Sequence, residues 1–426
     1  MPEVALPAID STHIFNIADY GAVGDGRTLN TEAIAKAIAA CAQAGGGEVI
    51  IPPGLWVTGP IRMVSHMNLV IERGALVKFT RDLSQYPMGA YPVYAHDLED
   101  VAITGSGIMD GGGDAWRPVK QEKTTEAQWK ELLAKGGTLT DKGKIWWPPG
   151  TSKDSQRPYM IYFDHCQRVL LQGVTFRNSP KFVIYPTHCR DLTLRDVSVF
   201  NEWWAQNGDG IDISASTNVL LYRCNVSAGD DGICLKSSGT DTPLVQNVVI
   251  AACNVYHAHG GFVIGSNTDG GIRNVYVADC NYVGTDVGIR VKSNAGRGGL
   301  VRDIYIDRIF MSEIAHDAIS FDTYYEDSPA GSDPNKRTAP IPGKTPVFTD
   351  FHISHVYCLG AAKAISLTGL PQSPVRRIFF DHVVITAGEG LTTKDANEIE
   401  LKDVTLHTNG PPFQLEHPQD IRILDK

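Results

Sequence analysis

Three aspartates and one histidine stand at repeated places relative to glycines in the middle of the chain. Asp209 and Asp231 each precede a glycine directly, and Asp230 and His259 each stand two places before one. Carboxylates held close together raise one another's pKa, so that one is protonated while its neighbour is ionised. Glycoside hydrolysis needs that combination, since a carboxylic acid protonates the leaving oxygen and a carboxylate activates water or attacks. These four residues are therefore candidate catalytic groups.

Cationic side chains stand at alternating places after glycines of the same repeat. In the segment 288–293, Arg290 and Lys292 alternate with apolar residues, and alternation along a strand places them together on its outward face. Lys236 and Asp212 have outward places in earlier segments. A guanidinium offers a planar fork and an ammonium a point charge, which suits the recognition of a carboxylate. The sequence predicts that carboxylates and cations converge on one outer surface and bind an acidic ligand.

Each of these residues also has an ordinary structural interpretation. Aspartate beside glycine commonly makes a turn, a histidine is commonly a satisfied polar residue, and Arg290 with Lys292 could form a solvated strand face. Repeated Asp-Asp-Gly turns could hold calcium, but the sequence lacks the nonapeptide repeats of calcium-binding solenoids. The shared place in successive repeats favours one joint site, and we expect neither a metal nor another cofactor in it.

A long sequence repeat supplies the elements that position this site. A pattern with apolar residues at the first, third and mostly sixth places recurs at intervals of 23, 27, 29, 27, 29, 47, 27 and 21 residues. It starts at Val169, Leu192, Val219, Val248, Val275, Ile304, Phe351, Ile378 and Ile399. Between these starts lie short alternating segments that begin at Gly210, Gly232, Gly261, Gly288, Ala318 and Ala364. Two short strands per period predict an all-β fold, a single-stranded right-handed parallel β-helix whose stacked coils bury a continuous core.

We expect residues 1–426 to form a single β-helix domain. The alanine-rich segment 31–44, followed by three glycines, predicts a helix that covers one end of the solenoid, within an N-terminal cap of about residues 13–55. Two segments break the repeat and are interpreted as insertions. The first covers about residues 111–158 and contains a short helix, and the second is a Pro/Gly-rich loop at about 324–349.

The eight cysteines do not have the spacing of a disulfide scaffold or a zinc site. Cys224, Cys253 and Cys280 occupy one register in three successive repeats, and Cys166 and Cys189 form a similar pair. The sequence predicts that these thiols are buried inside the solenoid.

Charge and hydropathy restrict the partners and the compartment. The net charge of -10 and the pI near 5.7 argue against nucleic acid and anionic membranes as partners. No apolar run reaches the roughly 18 residues of a membrane span. Residues 1–11 lack the pattern of a signal peptide. We expect a secreted or periplasmic protein if a signal peptide has been removed, and a cytoplasmic one otherwise, and the oligomeric state is not predicted.

At these residues the chain resembles glycoside hydrolase family 28, the polygalacturonases, whose ordered motifs are Asn-Thr-Asp, an Asp-Asp pair, Gly-His-Gly and Arg-Ile-Lys. The counterparts here are residues 207–209, 229–231, 258–260 and 290–292. Residues 15–26 also resemble the N-terminal region of that family, so the resemblance covers about residues 13–420. Gly208 replaces threonine and Ala258 replaces glycine, and we expect both changes to leave the catalytic side chains in place.

The resemblance implies a role for each residue. Asp230 would be the general acid, Asp209 and Asp231 would activate the water, and His259 would tune the acid or hydrogen-bond to it. The residues expected to bind the substrate are Arg290, Lys292, Tyr325, Asn207 and Lys236. The family inverts the anomeric configuration, whereas carboxylates one coil apart would by themselves suggest retention.

The resemblance implies hydrolysis of α-1,4-galacturonosyl linkages in a pectic polysaccharide or oligogalacturonide. Residues 259–266 resemble the exo-acting bacterial branch of the family, and the insertion 111–158 could close one end of the cleft. We therefore expect exo-action from the non-reducing end. Four alternatives stay open: a rhamnogalacturonan hydrolase, a xylogalacturonan hydrolase, a pectate lyase, which usually needs calcium, and a non-catalytic β-helix that binds carbohydrate.

Overall fold

The computed structural model describes residues 4–87, 90–238, 245–325 and 342–424. These residues divide into two compact units. We call residues 4–212 with 224–230 the N-terminal unit, and residues 213–223 with those from 231 onward the C-terminal unit. The prediction of a single domain stays a prediction, and each unit is described separately.

The N-terminal unit is built from short parallel strands that pair with their counterparts in the next coil. One set consists of Ile61–Arg62, Val93–His96, Ile161–Asp164 and Ile184–Thr187. A second set consists of Ile14–Asn16, Gly47–Ile51, Met67–Ile71, Glu99–Gly105, Gln167–Gln172 and Arg190–Arg195. A third set consists of Asp25–Leu29, Gly54–Thr58, Ala75–Phe79, Ile108–Asp110, Thr175–Arg177, Ser198–Phe200 and Asn225–Ser227. The chain crosses from this unit into the other within the strand Ile211–Ser214.

Side-chain alternation explains why these strands form. In the strand Ile161–Asp164, Ile161 and Phe163 are buried while the residues between and after them are half-buried, as expected for a strand with one face on a core. The last three strands of the first set each end in a bend. His165 has a backbone φ of 54° at that bend, in the left-handed region that aspartate, asparagine and histidine adopt more readily than most residues.

The predicted capping helix is present as Thr31–Gln43. Its C-cap is Ala44, and the next residue, Gly45, has a φ of 86°, which a side chain would disfavour. The helix packs on the strands Ile14–Asn16 and Gly47–Ile51. Its buried face consists of Ala33, Ile34, Ala37, Ile38 and Cys41.

The predicted insertion at residues 111–158 has its own secondary structure. Its helix, Glu126–Ala134, begins with a capping box formed by Thr125 and Gln128. An antiparallel sheet consists of Val119–Lys120, Ile145–Trp147 and Thr138–Thr140. Val119, Trp129 and Trp146 form a buried cluster between the helix and the sheet, so the segment has a small core of its own.

The C-terminal unit continues with parallel strands. One set consists of Asp231–Lys236, Gly260–Ile264 and Ile289–Lys292, and a second of Thr217–Tyr222, Val245–Ala251 and Ile272–Val283, with Asn254–Tyr256 beside the last. Later strands extend over most of a coil, namely Leu300–Asp322, Val347–Thr368 and Val375–Lys394. The unit ends with Ala396–His407, Phe413–Leu415 and Ile421–Leu424.

The sequence predictions for the fold are largely confirmed. Every predicted repeat start lies in a parallel strand, and the fold is an all-β parallel β-helix. All eight cysteines are free and buried. The predicted loop at 324–349 is too long, because Val347–Thr368 is already a strand, while residues 326–341 of that loop lie outside the described part of the chain. Among the described residues, no helix is long and apolar enough to cross a membrane.

Candidate active site

Asp209 and Asp230 belong to the N-terminal unit and lie close together. Each offers a carboxylate oxygen within 4.8 Å of the other. The backbone brings them together, since the Val183 amide donates to the Asp209 carbonyl oxygen at 2.9 Å and the Gly229 amide donates to the Gly208 carbonyl oxygen at 3.2 Å. Asp209 is only 3% exposed. The two carboxylates therefore lie close together, as a shared site for the aspartates requires.

A tight turn at residues 202–208 fixes the backbone before both aspartates. Asn201 Nδ2 donates to the Gly208 carbonyl oxygen at 3.2 Å. A Cβ atom at Gly208 would lie 2.7 Å from the Ala205 Cβ, and one at Gly229 would lie 2.5 Å from the Ala205 carbonyl oxygen. Neither position has room for a side chain. This packing explains why glycine stands where the resembled family has threonine.

Asp231 forms a buried ion pair in the C-terminal unit. Lys292 Nζ donates to Asp231 Oδ2 at 2.7 Å, and the two residues are 4% and 2% exposed. Burial by itself lowers the pKa of Lys292, but the attraction of the Asp231 carboxylate, together with smaller contributions from Tyr325 and Cys234, holds the pKa above its ordinary value. The short contact between Asp231 and Lys292 is therefore almost completely shielded from solvent.

Arg290 and Tyr325 lie beside that ion pair. Arg290 Nη1 is 3.7 Å from Asp231 Oδ1, and the guanidinium carbon is 5.6 Å from the centre of the Tyr325 ring. Lys292 Nζ lies 4.8 Å from the same ring centre, a favourable arrangement for cations over an aromatic face. The Tyr325 amide donates to the Ser293 carbonyl oxygen at 3.1 Å, which places the tyrosine next to the strand that bears both cations.

His259 lies near an acidic residue that the sequence did not single out. His259 Nε2 is 3.8 Å from Asp286 Oδ2, with side chains 37% and 45% exposed. Arg290 Nη1 donates to the His259 carbonyl oxygen at 3.5 Å, so the histidine backbone belongs to the same group. Asp286 stands two places before Gly288, the place that Asp230 and His259 occupy in earlier repeats. The repeat register could therefore have identified it.

Lys236 is half-buried at the end of the strand Asp231–Lys236. The paired register Leu235–Ile264–Val291 gives it the same place along its strand as Lys292, two strands away. The burial of Asp212 and Lys292 differs from the sequence prediction, which placed both side chains on an exposed outward face. Asp212 is fully buried and Lys292 nearly so, although both alternate with core residues and were expected on an open outer surface.

The insertion 111–158 is attached to the segment that leads to Asp209, a feature the sequence did not reveal. Arg157 donates from Nη2 to Asn207 Oδ1 at 2.9 Å and from Nη1 to the Gln206 carbonyl oxygen at 2.6 Å. Arg117, which is 1% exposed, donates to Glu202 Oε2 at 2.7 Å. The hydrogen bonds of these two buried guanidinium groups therefore attach the insertion to residues 202–207 of the N-terminal unit. The Asn207 side chain accepts one of these hydrogen bonds.

The two groups of residues are continuous in the chain, because Asp230 and Asp231 are joined by a peptide bond. On one side of that bond are the close carboxylates of the N-terminal unit, and on the other a carboxylate of the C-terminal unit with two cations and a tyrosine. Close carboxylates can supply a proton or activate a water molecule, and the cations of the C-terminal unit can bind an anionic group. The oxygens of Asp209 and Asp230 are also close enough to share a cation.

Comparisons with known proteins agree with this chemistry. A model of the glycosyl hydrolases family 28 matches residues 125–407, and a model described as rhamnogalacturonase A/epimerase, pectate lyase-like, matches residues 14–72. A probable polygalacturonase from Vitis vinifera is 26% identical over 88% of this chain and 74% of its own length. The exo-poly-alpha-D-galacturonosidase of Dickeya chrysanthemi is 26% identical over 96% of this chain and 74% of its own length.

A solved structure supports the fold independently. The crystal structure of an exopolygalacturonase from Thermotoga maritima matches with a TM-score of 0.73 and 24% identity, over 99% of this chain and 93% of that one. At this level of identity the likeness establishes the parallel β-helix and leaves the chemistry to the residues themselves.

Proposed function

The chain belongs to glycoside hydrolase family 28, whose model covers more than half of its length, and we propose that it is an exo-acting polygalacturonase. As a member of the family it is a glycoside hydrolase. Its proposed reaction is the hydrolysis of α-1,4-galacturonosyl linkages at the non-reducing end of a pectic polysaccharide or oligogalacturonide. The names of the relatives from Vitis vinifera and Dickeya chrysanthemi support that substrate.

The observation that carries the proposal is the ion pair of Asp231 and Lys292 with Arg290 beside it. The 2.7 Å contact with Lys292 holds the Asp231 carboxylate in a fixed position, as a base that activates water requires. Arg290 has a more exposed side chain, 23% against 5% for Lys292. We therefore assign the galacturonate carboxylate mainly to Arg290, with Tyr325 beneath the sugar, and we assign to Lys292 the task of holding Asp231 in place.

The remaining roles follow the family. Asp230 donates its proton to the glycosidic oxygen, and water attacks the anomeric carbon while Asp209 and Asp231 activate it, with one of the two carboxylates accepting the proton that the water loses. His259 hydrogen-bonds to the acid or tunes it, and Lys236 and Asn207 contribute to the substrate site. Inversion rests on family membership alone, since acid and base are usually about 6.5–9.5 Å apart in inverting enzymes, and the Asp209 and Asp230 oxygens lie within 4.8 Å. An NMR assignment of the first anomer released tests this part.

The attachment of the insertion 111–158 close to Asp209 supports exo-action. Arg117 and Arg157 fix residues 111–158 to the segment before Asp209, so the insertion stands next to a proposed catalytic carboxylate. A rigid segment in that position restricts the length of substrate that extends past the cleavage point. The exo-acting relative from Dickeya chrysanthemi aligns with 96% of this chain, and we propose the same mode of action here.

Product analysis over time tests the proposal. With polygalacturonate as substrate, we expect galacturonate or its dimer from the first minutes, without long oligomers. The variant Asp230→Asn should lose about 10²–10⁴-fold in kcat, while the control Asp317→Asn should keep the activity of the parent. Long internal oligomers as early products would contradict exo-action. An Asp230→Asn variant with full activity would contradict the assignment of the acid.

The same product analysis distinguishes the proposed activity from the hydrolysis of another pectic polymer and from a pectate lyase reaction. The match of residues 14–72 to a model named for rhamnogalacturonase makes rhamnogalacturonan the first alternative substrate, with xylogalacturonan beside it. Faster release of reducing ends from either polymer would replace the proposal. A pectate lyase would instead give unsaturated products that absorb in the ultraviolet, and a chelator would abolish them if calcium is required.

The substrate also suggests the compartment. A pectic polymer is too large to enter a cell, so we propose that the enzyme works outside the cytoplasm when it acts on polymer, and that a cytoplasmic form would act on short oligogalacturonides. Fractionation of cells that express the complete gene, followed by activity assays on polymer and dimer, distinguishes the two locations.

A further inference from the structure

We propose that the N-terminal unit binds a divalent transition-metal ion such as Zn²⁺ through Asp164, His165 and His188. The three side chains offer donor atoms that all lie within 4.8 Å of one another. Asp164 Oδ1 is 2.7 Å from His165 Nδ1 and 3.3 Å from His188 Nδ1. Two imidazoles therefore share one carboxylate oxygen. None of these residues takes part in the proposed hydrolysis.

The distances suit the coordination sphere of zinc. Zn²⁺ binds imidazole nitrogen and carboxylate oxygen at about 2.0–2.2 Å, so that neighbouring ligands of one tetrahedral ion are about 3.3–3.6 Å apart. The Asp164–His188 separation of 3.3 Å lies in that range, and the Asp164–His165 separation of 2.7 Å needs only a small adjustment. Imidazole and carboxylate are also the donor types that this ion prefers.

The backbone holds the three ligands in place. His165 and His188 occupy bends with φ of 54° and 52°, and the strands that precede those bends pair directly, Asp164 opposite Thr187. The two imidazole rings stack with their centres 4.5 Å apart, because the bends lie on successive coils. The bend tolerates aspartate and asparagine as well as histidine, so its geometry alone does not require two histidines at one carboxylate.

A neighbouring pair orients the carboxylate. His96 Nδ1 is 3.0 Å from Asp164 Oδ2, whereas His165 and His188 contact Oδ1, and His96 Nε2 is 3.0 Å from Asp97 Oδ2. A hydrogen bond from His96 to Oδ2 leaves Oδ1 for the metal ion, as partners behind metal ligands commonly do. His96 is thus a positioning residue. Its loss should weaken binding by about 10–100-fold.

The ion would link two coils next to the insertion. Asp164 ends the first strand after residues 111–158, and His188 follows the corresponding strand of the next coil. A ligand that binds the folded arrangement and not the unfolded chain raises the unfolding temperature. The inference therefore concerns the stability of the unit that carries the insertion, and it does not depend on the substrate.

Titration of metal-free protein with ZnCl₂ in a calorimeter tests the site, with the double variant H165N/H188N. The matched control is H355N/H382N, which removes a stacked pair of exposed histidines in the C-terminal unit whose ring centres are 5.2 Å apart. In that pair each Nδ1 faces a different carboxylate, Asp307 or Asp381. We expect the parent and the control to bind Zn²⁺ saturably, and H165N/H188N to bind at least tenfold more weakly.

The unfolding temperature gives a second readout. Zn²⁺ should raise the Tm of the parent and of the control and leave that of H165N/H188N unchanged. Because asparagine adopts the left-handed bend readily, the double variant should fold, and Asp164→Asn provides a second variant of nearly equal size. Equal affinity in parent and H165N/H188N, loss of binding in the control alone, or no saturable binding by the parent would each overturn the proposal.

Discussion

Within the C-terminal unit, the strand that carries the cations and the strands stacked after it share an inward pattern and differ in their outward residues. We call Ile289–Lys292 the site strand, and the later segments that pair with it in register are 319–322, 365–368 and 391–394. Ile289 and Val291 are fully buried. Their inward counterparts are Ile319, Phe321, Ile365, Leu367, Leu391 and Thr393.

The outward residues change at the next coil, and only the last of these segments has a lysine, Lys394, at the place of Lys292. Arg290 is followed in register by Ser320, and Lys292 by Asp322. Outward cations side by side therefore stand on the site strand and not on the next one. The inward residues set the coil geometry, whereas a few outward residues place the chemistry at one level of the solenoid.

Two aspartates of this unit also differ in their surroundings. Lys292 Nζ lies 2.7 Å from Asp231 Oδ2. Burial raises the pKa of Asp317, and the attraction of Lys363, its partner in the next strand, only partly opposes this effect. Asp231 thus has a close cationic partner, whereas burial dominates the electrostatics of Asp317.

The largest expected effect is on kcat, and it distinguishes the substitution of Asp231 from that of Asp317. Asp231→Asn should lower kcat on polygalacturonate by about 10²–10⁴-fold, the usual contribution of a general base, whereas Asp317→Asn should retain activity. Loss of the carboxylate also leaves Lys292 buried without its partner, which should lower the free energy of unfolding by about 3–5 kcal/mol. Initial rates at saturating substrate and urea unfolding measure the two quantities. Equal loss of activity in both variants would break the comparison.

A double variant distinguishes the effect of Asp231 on catalysis from its effect on the stability of the fold. Asp231→Asn combined with Lys292→Met replaces the buried charge by an apolar side chain, a change that is often neutral for stability. We expect the double variant to regain much of the unfolding free energy and to remain inactive. Activity in this variant would show that Asp231 acts only by holding the fold.

An intermediate effect is expected for Arg290→Lys. Lysine keeps the charge but loses the planar fork that binds a carboxylate with two hydrogen bonds. We expect KM to rise by about 10–100-fold with little change in kcat, equivalent to about 1.4–2.8 kcal/mol of substrate binding. Arg297→Lys is the matched control, since Arg297 lies 5.6 Å from the centre of the same Tyr325 ring but outside the site strand. A fall in kcat at constant KM would contradict the role of Arg290 in binding.

The smallest effect concerns the stability of Asp317→Asn as a function of pH. Because the pKa of Asp317 is raised in the folded state, the folded protein binds its proton more tightly than the unfolded chain. The stabilisation is complete below the unfolded pKa and is lost as the pH rises through the folded pKa. A neutral asparagine removes that loss, so the variant should gain no more than about 1 kcal/mol at pH 7. Lower stability of the variant at pH 7 than at pH 3, relative to the parent, would contradict the sign.

The sequence predicts the core of this fold well and its outward contacts less well. Val248, Val275 and Ile304 were placed in one register from their spacing, and they pair in that register, because a continuous interior accepts only apolar residues at repeated places. The same spacing identified Asp209, Asp230 and Asp231. Their roles in catalysis stay predictions.

Features that depend on neighbouring loops were missed. The burial of Asp209 and Lys292 could not be derived from alternation, which gives the direction of a side chain but not what covers it. The hydrogen bond by which Arg157 attaches the insertion to Asn207 could not be predicted either. The two residues are fifty positions apart and do not follow the repeat. The cluster of Asp164, His165 and His188 does follow the repeat, because His165 and His188 are 23 residues apart, the same interval as from Val169 to Leu192. The repeat register could therefore have identified it.

The insertion leaves the stacking of the coils unchanged. Val93 pairs with Ile161, Glu99 with Gln167 and Ile108 with Thr175, so the coil before residues 111–158 lies directly on the coil after them. The two ends of the segment are therefore held by the paired strands Ile108–Asp110 and Ile161–Asp164, and a doubling of loop length between fixed ends costs only about 0.6 kcal/mol. Evolution, or an engineer, can exchange such a segment for a longer or shorter one without shifting any register, and can thereby alter product length while the core sequence stays constant.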